Sequence, residues 1–294
     1  MKTEGNAMKL TKTKLAAAVV MAALGVGVAI PASANPLQIR LTDPNAMAAS
    51  LICVDGNGAC DSDGLVNNAI AFIPTFANTF FGAGRAFDIV GLSASSNFTT
   101  GDPNAAVITS SGNLTATLVS GILPLIIEVS QTDWTKPVGQ PRTLSQGATS
   151  TFTNAGAGDL SSFHALNDQA NLIFAGNDAG TGTALPVGAG DDFVTGPVLF
   201  NASSGDPDCT GVVGNIQSCA GVSQLGGIAE TNPFSLTQRF VIATGPSPVS
   251  GALVRVQFTD AATKFAAVPE PSIMLLFGVG ILGLGLAGRR KKIE

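Results

Sequence analysis

The chain has 294 residues, 45% hydrophobic and 12% charged, with 35 Gly, 16 Phe, one Trp, one His and no Tyr. Between residues 35 and 268, seven basic residues (Arg40, Arg85, Lys136, Arg142, Arg239, Arg255 and Lys264) stand against seventeen acidic ones, fifteen of them Asp, for a net charge of −10. With nothing basic clustered in that region, nucleic acid and anionic lipid headgroups are excluded as its partners.

Residues 1–34 read as a signal peptide. Lys9, Lys12 and Lys14 precede the apolar stretch 15–30, and Ala32-Ser33-Ala34 fits an Ala-x-Ala site for signal peptidase, with Asn35 as the first mature residue. An uncleaved N-terminal helix is the alternative. The region 35–264 that follows is long enough for one large domain with a real core. It is rich in Gly, Ala, Ser, Thr, Asn and Val and poor in Lys and Glu, so turn formers outnumber helix formers.

In chain order, short stretches with a period of two are expected as strands at 37–41, 87–93, 114–119, 125–130, 149–153, 171–174, 193–200, 236–242 and 251–259. In the last of these Val254, Val256 and Phe258 share a face opposite Arg255 and Gln257. In 236–242, Leu236, Phe240 and Ile242 share a face. Glu128, between Ile127 and Val129, is expected to point to solvent. Residues 64–79 leave room for a short helix, and 161–170 is ambiguous. Residues 176–192 and 201–224 read as long loops, and 259–268 as a connection to the tail. The fold class is mainly β, a β-sandwich or jelly-roll-like domain between a signal peptide and a C-terminal transmembrane helix.

Cys53 and Cys60, and Cys209 and Cys219, form two local pairs. In an exported chain these read as disulfides, each pinning a Gly/Asp/Asn-rich loop for about 2–3 kcal/mol. Zinc would need C-x2-C spacing or nearby His, and neither is present. Within the first loop, Asp55, Asn57, Asp61 and Asp63 put hard oxygen donors within nine residues, as a calcium ion requires. No EF-hand pattern is present, and a polar turn cross-linked by the disulfide is the competing reading. No other cofactor is expected.

Nothing in the chain marks it as an enzyme. His164 is its single histidine, in a Ser-Ser-Phe-His-Ala context, and no G-x-S-x-G, H-E-x-x-H or P-loop occurs. Two Asp could meet as a glycosidase pair, but no motif anchors them. Trp134, near a strand end, is either a core cap or a platform for a sugar ring.

The last 27 positions are the most specific. Val268-Pro269-Glu270-Pro271 precedes an apolar run, 272–288, and then Arg289, Arg290, Lys291 and Lys292. At about 1.5 Å per residue the apolar run reaches roughly 25 Å, just short of a hydrocarbon core. The basic cluster is expected to stay on the cytoplasmic side. The two prolines prevent the motif from continuing a helix. In order and position these parts resemble the PEP-CTERM sorting signal of Gram-negative bacteria. The resemblance covers only the tail, 265–294. It implies export, a membrane-anchored intermediate, processing by an exosortase at the motif 268–271, and release to the cell surface or extracellular matrix. It also implies a setting of exopolysaccharide and biofilm. The function expected is therefore that of a non-enzymatic surface or matrix protein. The alternatives are a carbohydrate-binding module assisted by calcium and, third, an extracellular hydrolase.

Overall fold

The computed structural model describes residues 35–46, 50–82, 84–98, 105–117, 124–135, 137, 141–154, 156, 159–168, 171, 173–174, 192–195, 198–201, 208–211, 216–228, 233–244 and 252–268. The chain divides into two units, Met1–Ala34 and Asn35–Glu294, and every described residue belongs to the second. The expected signal peptide lies outside the described residues, as do 269–294 with the Pro-Glu-Pro motif, the apolar run and the basic cluster. Among the described residues no helix is long and apolar enough to cross a membrane.

The described residues form fourteen strands and one helix. In chain order the elements are β1 (Gln38–Thr42), β2 (Ser50–Val54), β3 (Ala69–Ala71), α1 (Pro74–Phe81), β4 (Phe87–Ser96), β5 (Ala105–Ala116), β6 (Leu125–Trp134), β7 (Arg142–Thr153), β8 (Leu160–Asp168), β9 (Asp192–Val194), β10 (Val198–Asn201), β11 (Cys209–Gly211), β12 (Ile216–Ile228), β13 (Phe234–Ala243) and β14 (Arg255–Ala267). They make two antiparallel seven-stranded sheets. Sheet A runs β10-β8-β13-β6-β1-β2, with β9 also on β8; sheet B runs β11-β12-β7-β14-β5-β4-β3. From β5 onward the chain repeatedly crosses between sheets. The last two strands end up in the interior of each: β13 between β8 and β6, and β14 between β7 and β5.

The sheets pack face to face, as period-two burial requires. Phe163 on β8 stacks on Phe240 of β13 at 4.6 Å between centroids, and Phe240 stacks on Phe258 of β14 at 4.3 Å, so a column of three rings passes from one sheet to the other. Phe258 lies against Gly112 of β5, where a Cβ would overlap its ring. Phe234 meets Phe265 edge to face at 5.0 Å. Polar ties cross the same space. Gln238 donates to the Ile108 carbonyl at 2.8 Å and accepts from Ser110 Oγ at 2.7 Å, while Gln146 donates to the Phe163 carbonyl at 2.9 Å. Buried amides paired in this way recover the cost of leaving water.

Several expectations are corrected. Residues 171–174 are not a strand: Asn171 and Phe174 have φ of 58° and 55°, and the segment turns over the outer face of sheet A. Phe174 N–H donates to Ser130 Oγ at 3.1 Å, and Asn171 is held by Asp133. The stretch 201–224 is not one long loop, because it contains β11 and much of β12. The stretch 259–268 is not a connection either. β14 continues through it to Ala267 across a bulge, and Phe265 is fully buried. The ambiguous 161–170 falls largely in β8, and the expected helix is α1, begun by Pro74 in its first turn.

Candidate functional site

Both cysteine pairs are joined as expected, Cys53 to Cys60 and Cys209 to Cys219. Cys209 and Cys219 face each other across the β11–β12 ladder. The bridges are not peripheral to the core, however. Cys53, Cys60 and Cys219 are essentially inaccessible to solvent and belong to the hydrophobic cluster.

The four oxygen donors of the first loop are each bonded to groups of the loop itself. Asp55 is buried and accepts the backbone N–H groups of Asn67 at 3.3 Å and Asn68 at 2.7 Å. Asp61 is fully buried and accepts those of Gly56 at 3.1 Å and Ala71 at 3.2 Å. Asn57 caps Ala59 N–H, and exposed Asp63 accepts from Leu65 N–H and the Asn67 amide. Burial pushes the Asp55 carboxyl up from its ordinary value, while the Leu65 N–H and the Asn67 amide hold Asp63 down. Through these backbone N–H bonds the Asp55 and Asp61 side chains serve as staples of loop 55–72. Among the described residues no group of three or more His, Cys, Asp or Glu is arranged to hold a metal ion.

Glu128 corrects another expectation. It does turn away from Ile127 and Val129, but it is 2% exposed. Its carboxylate accepts from Arg40 Nε at 2.5 Å, and the Arg40 guanidinium lies 4.5 Å from the centre of the Phe174 ring. Registers place Arg40, Glu128, Arg239 and His164 in one row across β1, β6, β13 and β8. All four are largely buried. His164 Nδ1 has no hydrogen-bond partner among the described residues. Desolvation, and then the positive charge of Arg239, lower its pKa to about 4, so His164 is neutral at pH 7. No motif in the sequence marks this row, since the four residues come together only through strand pairing.

Trp134 is fully buried. Its Nε1–H donates to the Gln131 carbonyl at 3.1 Å and its ring meets Phe98 edge to face. It caps the core and cannot serve as a sugar platform.

The outer face of sheet B is different in character: broad, accessible and lined with hydroxyls. Ser93 pairs with Ser111, Ser95 with Thr109 and Thr151 with Ser218, side chain to side chain across neighbouring strands. Each hydroxyl pair spends one proton between its members and leaves one for an outside acceptor. A groove of about 630 Å³ runs over β3, β4 and β5 between Asp63 and Asp260, floored by Ser93, Ser95, Thr109 and Ser111. Asp260 owes its place to the β14 bulge, where its φ is 53°. Sequence reasoning missed it. The signal was there, since Thr259-Asp260-Ala261 breaks the alternation that runs up to Phe258.

Of Val268–Pro271, only Val268 lies within the described residues. It is 38% exposed, and its N–H donates to the Pro141 carbonyl at 2.8 Å, one residue past the end of β14. No curated protein matches the chain. Residues 267–291 do match a family model, that of the PEP-CTERM protein-sorting motif. The chain thus carries a PEP-CTERM sorting motif that begins at the last residue of a core strand, which implies an exported protein targeted to an exosortase.

Proposed function

We propose that this protein is a non-enzymatic component of the cell surface or extracellular matrix, exported, processed by an exosortase and set among exopolysaccharide. The observation that carries this reading is the sorting motif at 267–291, taking over where β14 ends. Two internal disulfides suit an oxidising compartment. The hydroxyl-rich outer face of sheet B suits a hydrated polysaccharide setting. Mass mapping of the protein from membranes, cell surface and medium tests the reading. The surface form should begin at Asn35 and lack residues 289–294. Recovery of 289–294 on that form would overturn exosortase processing.

A carbohydrate-binding role is the second reading, and the groove between Asp63 and Asp260 favours it. Carboxylates accept sugar hydroxyls and the Ser/Thr rows can donate to them, with no aromatic platform required. Retention on purified exopolysaccharide should fall at least tenfold in Asp63→Ala with Asp260→Ala. Equal retention of variant and wild type would leave the matrix role without a sugar contact at this groove.

A further inference from the structure

Two grooves on sheet B meet at one residue. The first, over β3, β4 and β5, ends at Asp260, and a second, of about 690 Å³, runs on from Asp260 over β7 and β12 to Asp208. Asp63, Asp260 and Asp208 thus mark a single path that crosses the strands. Asp63 lies by β3, Asp260 is on β14 and Asp208 precedes β11, so three interstrand steps separate Asp260 from either end. At about 4.8 Å per step, neighbouring carboxylates on the path stand roughly 14 Å or more apart along the sheet. That is too wide for one metal ion or one sugar ring to bridge, and it suits a polymer laid across the strands. One interstrand step is close to the advance of one pyranose ring along an extended polysaccharide. Among the described residues no basic side chain lines either groove, and neither Asp63 nor Asp260 belongs to an ion pair. Arg255 and Lys264 stand on β14 but outside both grooves. Asp63 is fixed by Leu65 N–H at 2.9 Å and the Asn67 amide at 2.8 Å, and Asp260 is exposed. Between the carboxylates the first groove offers the Ser93–Ser111 and Ser95–Thr109 hydroxyl pairs. The second offers apolar surface at Val222, 85% exposed, and Leu199, 50% exposed.

We propose, resting on the carbohydrate-binding reading above, that this path takes an amino-sugar polymer with free ammonium groups, an N-deacetylated hexosamine chain. Charge selects among three classes of glycan. A polyuronate brings carboxylates to a path that holds three of its own and no cation, within a region of net charge −10, and is repelled. A neutral glycan meets the hydroxyls but gains nothing from the charge. An ammonium-bearing glycan gives each carboxylate a charged donor, which makes a stronger hydrogen bond than a neutral hydroxyl does. The protons left over from the Ser/Thr pairs donate to its ring and hydroxyl oxygens, and the C–H faces of its rings cover Val222 and Leu199. An exposed ion pair is worth at most about fivefold in affinity, and contacts made along one chain multiply. Three such pairs give a preference of at least about tenfold over the same chain with its amines acetylated.

Titration of the full chain, in micelles of an uncharged detergent, with a β-1,4-linked glucosamine hexamer and with its fully N-acetylated counterpart tests the proposal. Mildly acidic buffer keeps amines and carboxylates both charged. Wild type should bind the glucosamine hexamer at least tenfold more tightly than the acetylated one, and more tightly than the glucosamine dimer, which cannot span two carboxylates. Salt at about 1 M, where screening acts within about 3 Å, should weaken the preference. Asp260→Asn, at an exposed side chain, should cost two- to fivefold in binding of the glucosamine hexamer, and Asp63→Asn together with Asp260→Asn should remove most of the preference. Asp88→Asn removes an acid of β4 that lines neither groove and should change nothing. Equal binding of the two hexamers, still lost in Asp63→Ala with Asp260→Ala, overturns the ammonium preference and leaves carbohydrate binding at the groove standing. Binding of neither hexamer, together with retention on exopolysaccharide that those two alanines do not alter, overturns both. A preference unchanged in the Asp63→Asn, Asp260→Asn variant, or lowered as much by Asp88→Asn as by Asp260→Asn, overturns the path and assigns the binding to net charge.

Discussion

Mild acid should destabilise this protein through His164. The residue is 6% exposed, its pKa is lowered to about 4 from an ordinary 6.5, and the causes are desolvation and then Arg239. The charged groups in its row are Arg239 beside it and Glu128 and Arg40 beyond, with Asp168 on its own strand. The folded state resists protonation of a group that the unfolded chain protonates freely. Between pH 6.5 and 4 the unfolded state therefore binds more protons, and stability falls as pH falls through that window. Each tenfold change is worth 1.36 kcal/mol, so the full window amounts to about 3 kcal/mol, of which about 2 kcal/mol is lost between pH 7 and pH 5. Urea unfolding at the two pH values, for wild type and for His164→Asn, isolates this contribution. The other acidic groups act equally on both proteins and cancel in the comparison. Wild type should lose about 2 kcal/mol more than the variant on going to pH 5. Equal losses would refute the reasoning, and would mean that His164 is protonated within the fold.

Four further outcomes can be measured. Phe265→Ala should cost about 3–5 kcal/mol, read as a lower midpoint in urea, because the ring is fully buried against Phe234 although it lies beside the sorting motif. Asp61→Ala should lower stability by about 1–3 kcal/mol, since it strips acceptors from Gly56 and Ala71 N–H in a buried loop. Millimolar calcium should leave the melting temperature of both wild type and Asp61→Ala unchanged, and a calcium-dependent rise in wild type would show that the loop reorganises into a cation site. Replacing Cys53 and Cys60 together by Ala should cost at least about 2–3 kcal/mol by loop entropy. Global unfolding is expected to show that loss, rather than local loosening, because both sulfurs sit in the core.

The sequence by itself determined whatever depends on neighbours along the chain. Alternation in 236–242 and 251–259 placed Phe240, Ile242, Val256 and Phe258 in the core, because a strand's period of two is a local property. The local cysteine spacings anticipated both bridges, and the order of Pro-Glu-Pro, apolar run and basic cluster identified the sorting motif. Tertiary structure decided whatever depends on what a strand's second face meets. Glu128 and Trp134 are buried because β6 lies inside sheet A under the turn at 171–174 and beside Phe98, and neither neighbour is close to them in sequence. The Arg40–Glu128–Arg239–His164 row exists only through register among four strands, whose members are up to 199 positions apart, Arg40 to Arg239. The role of β14 was hidden for a related reason. Its bulge at Asp260 breaks the alternation that makes a strand legible, while its place between β5 and β7 makes residues up to Ala267 part of the core sheet. Local pattern determines which residues form a strand and which side of it is apolar; only the pairing of distant strands determines whether the polar side reaches water.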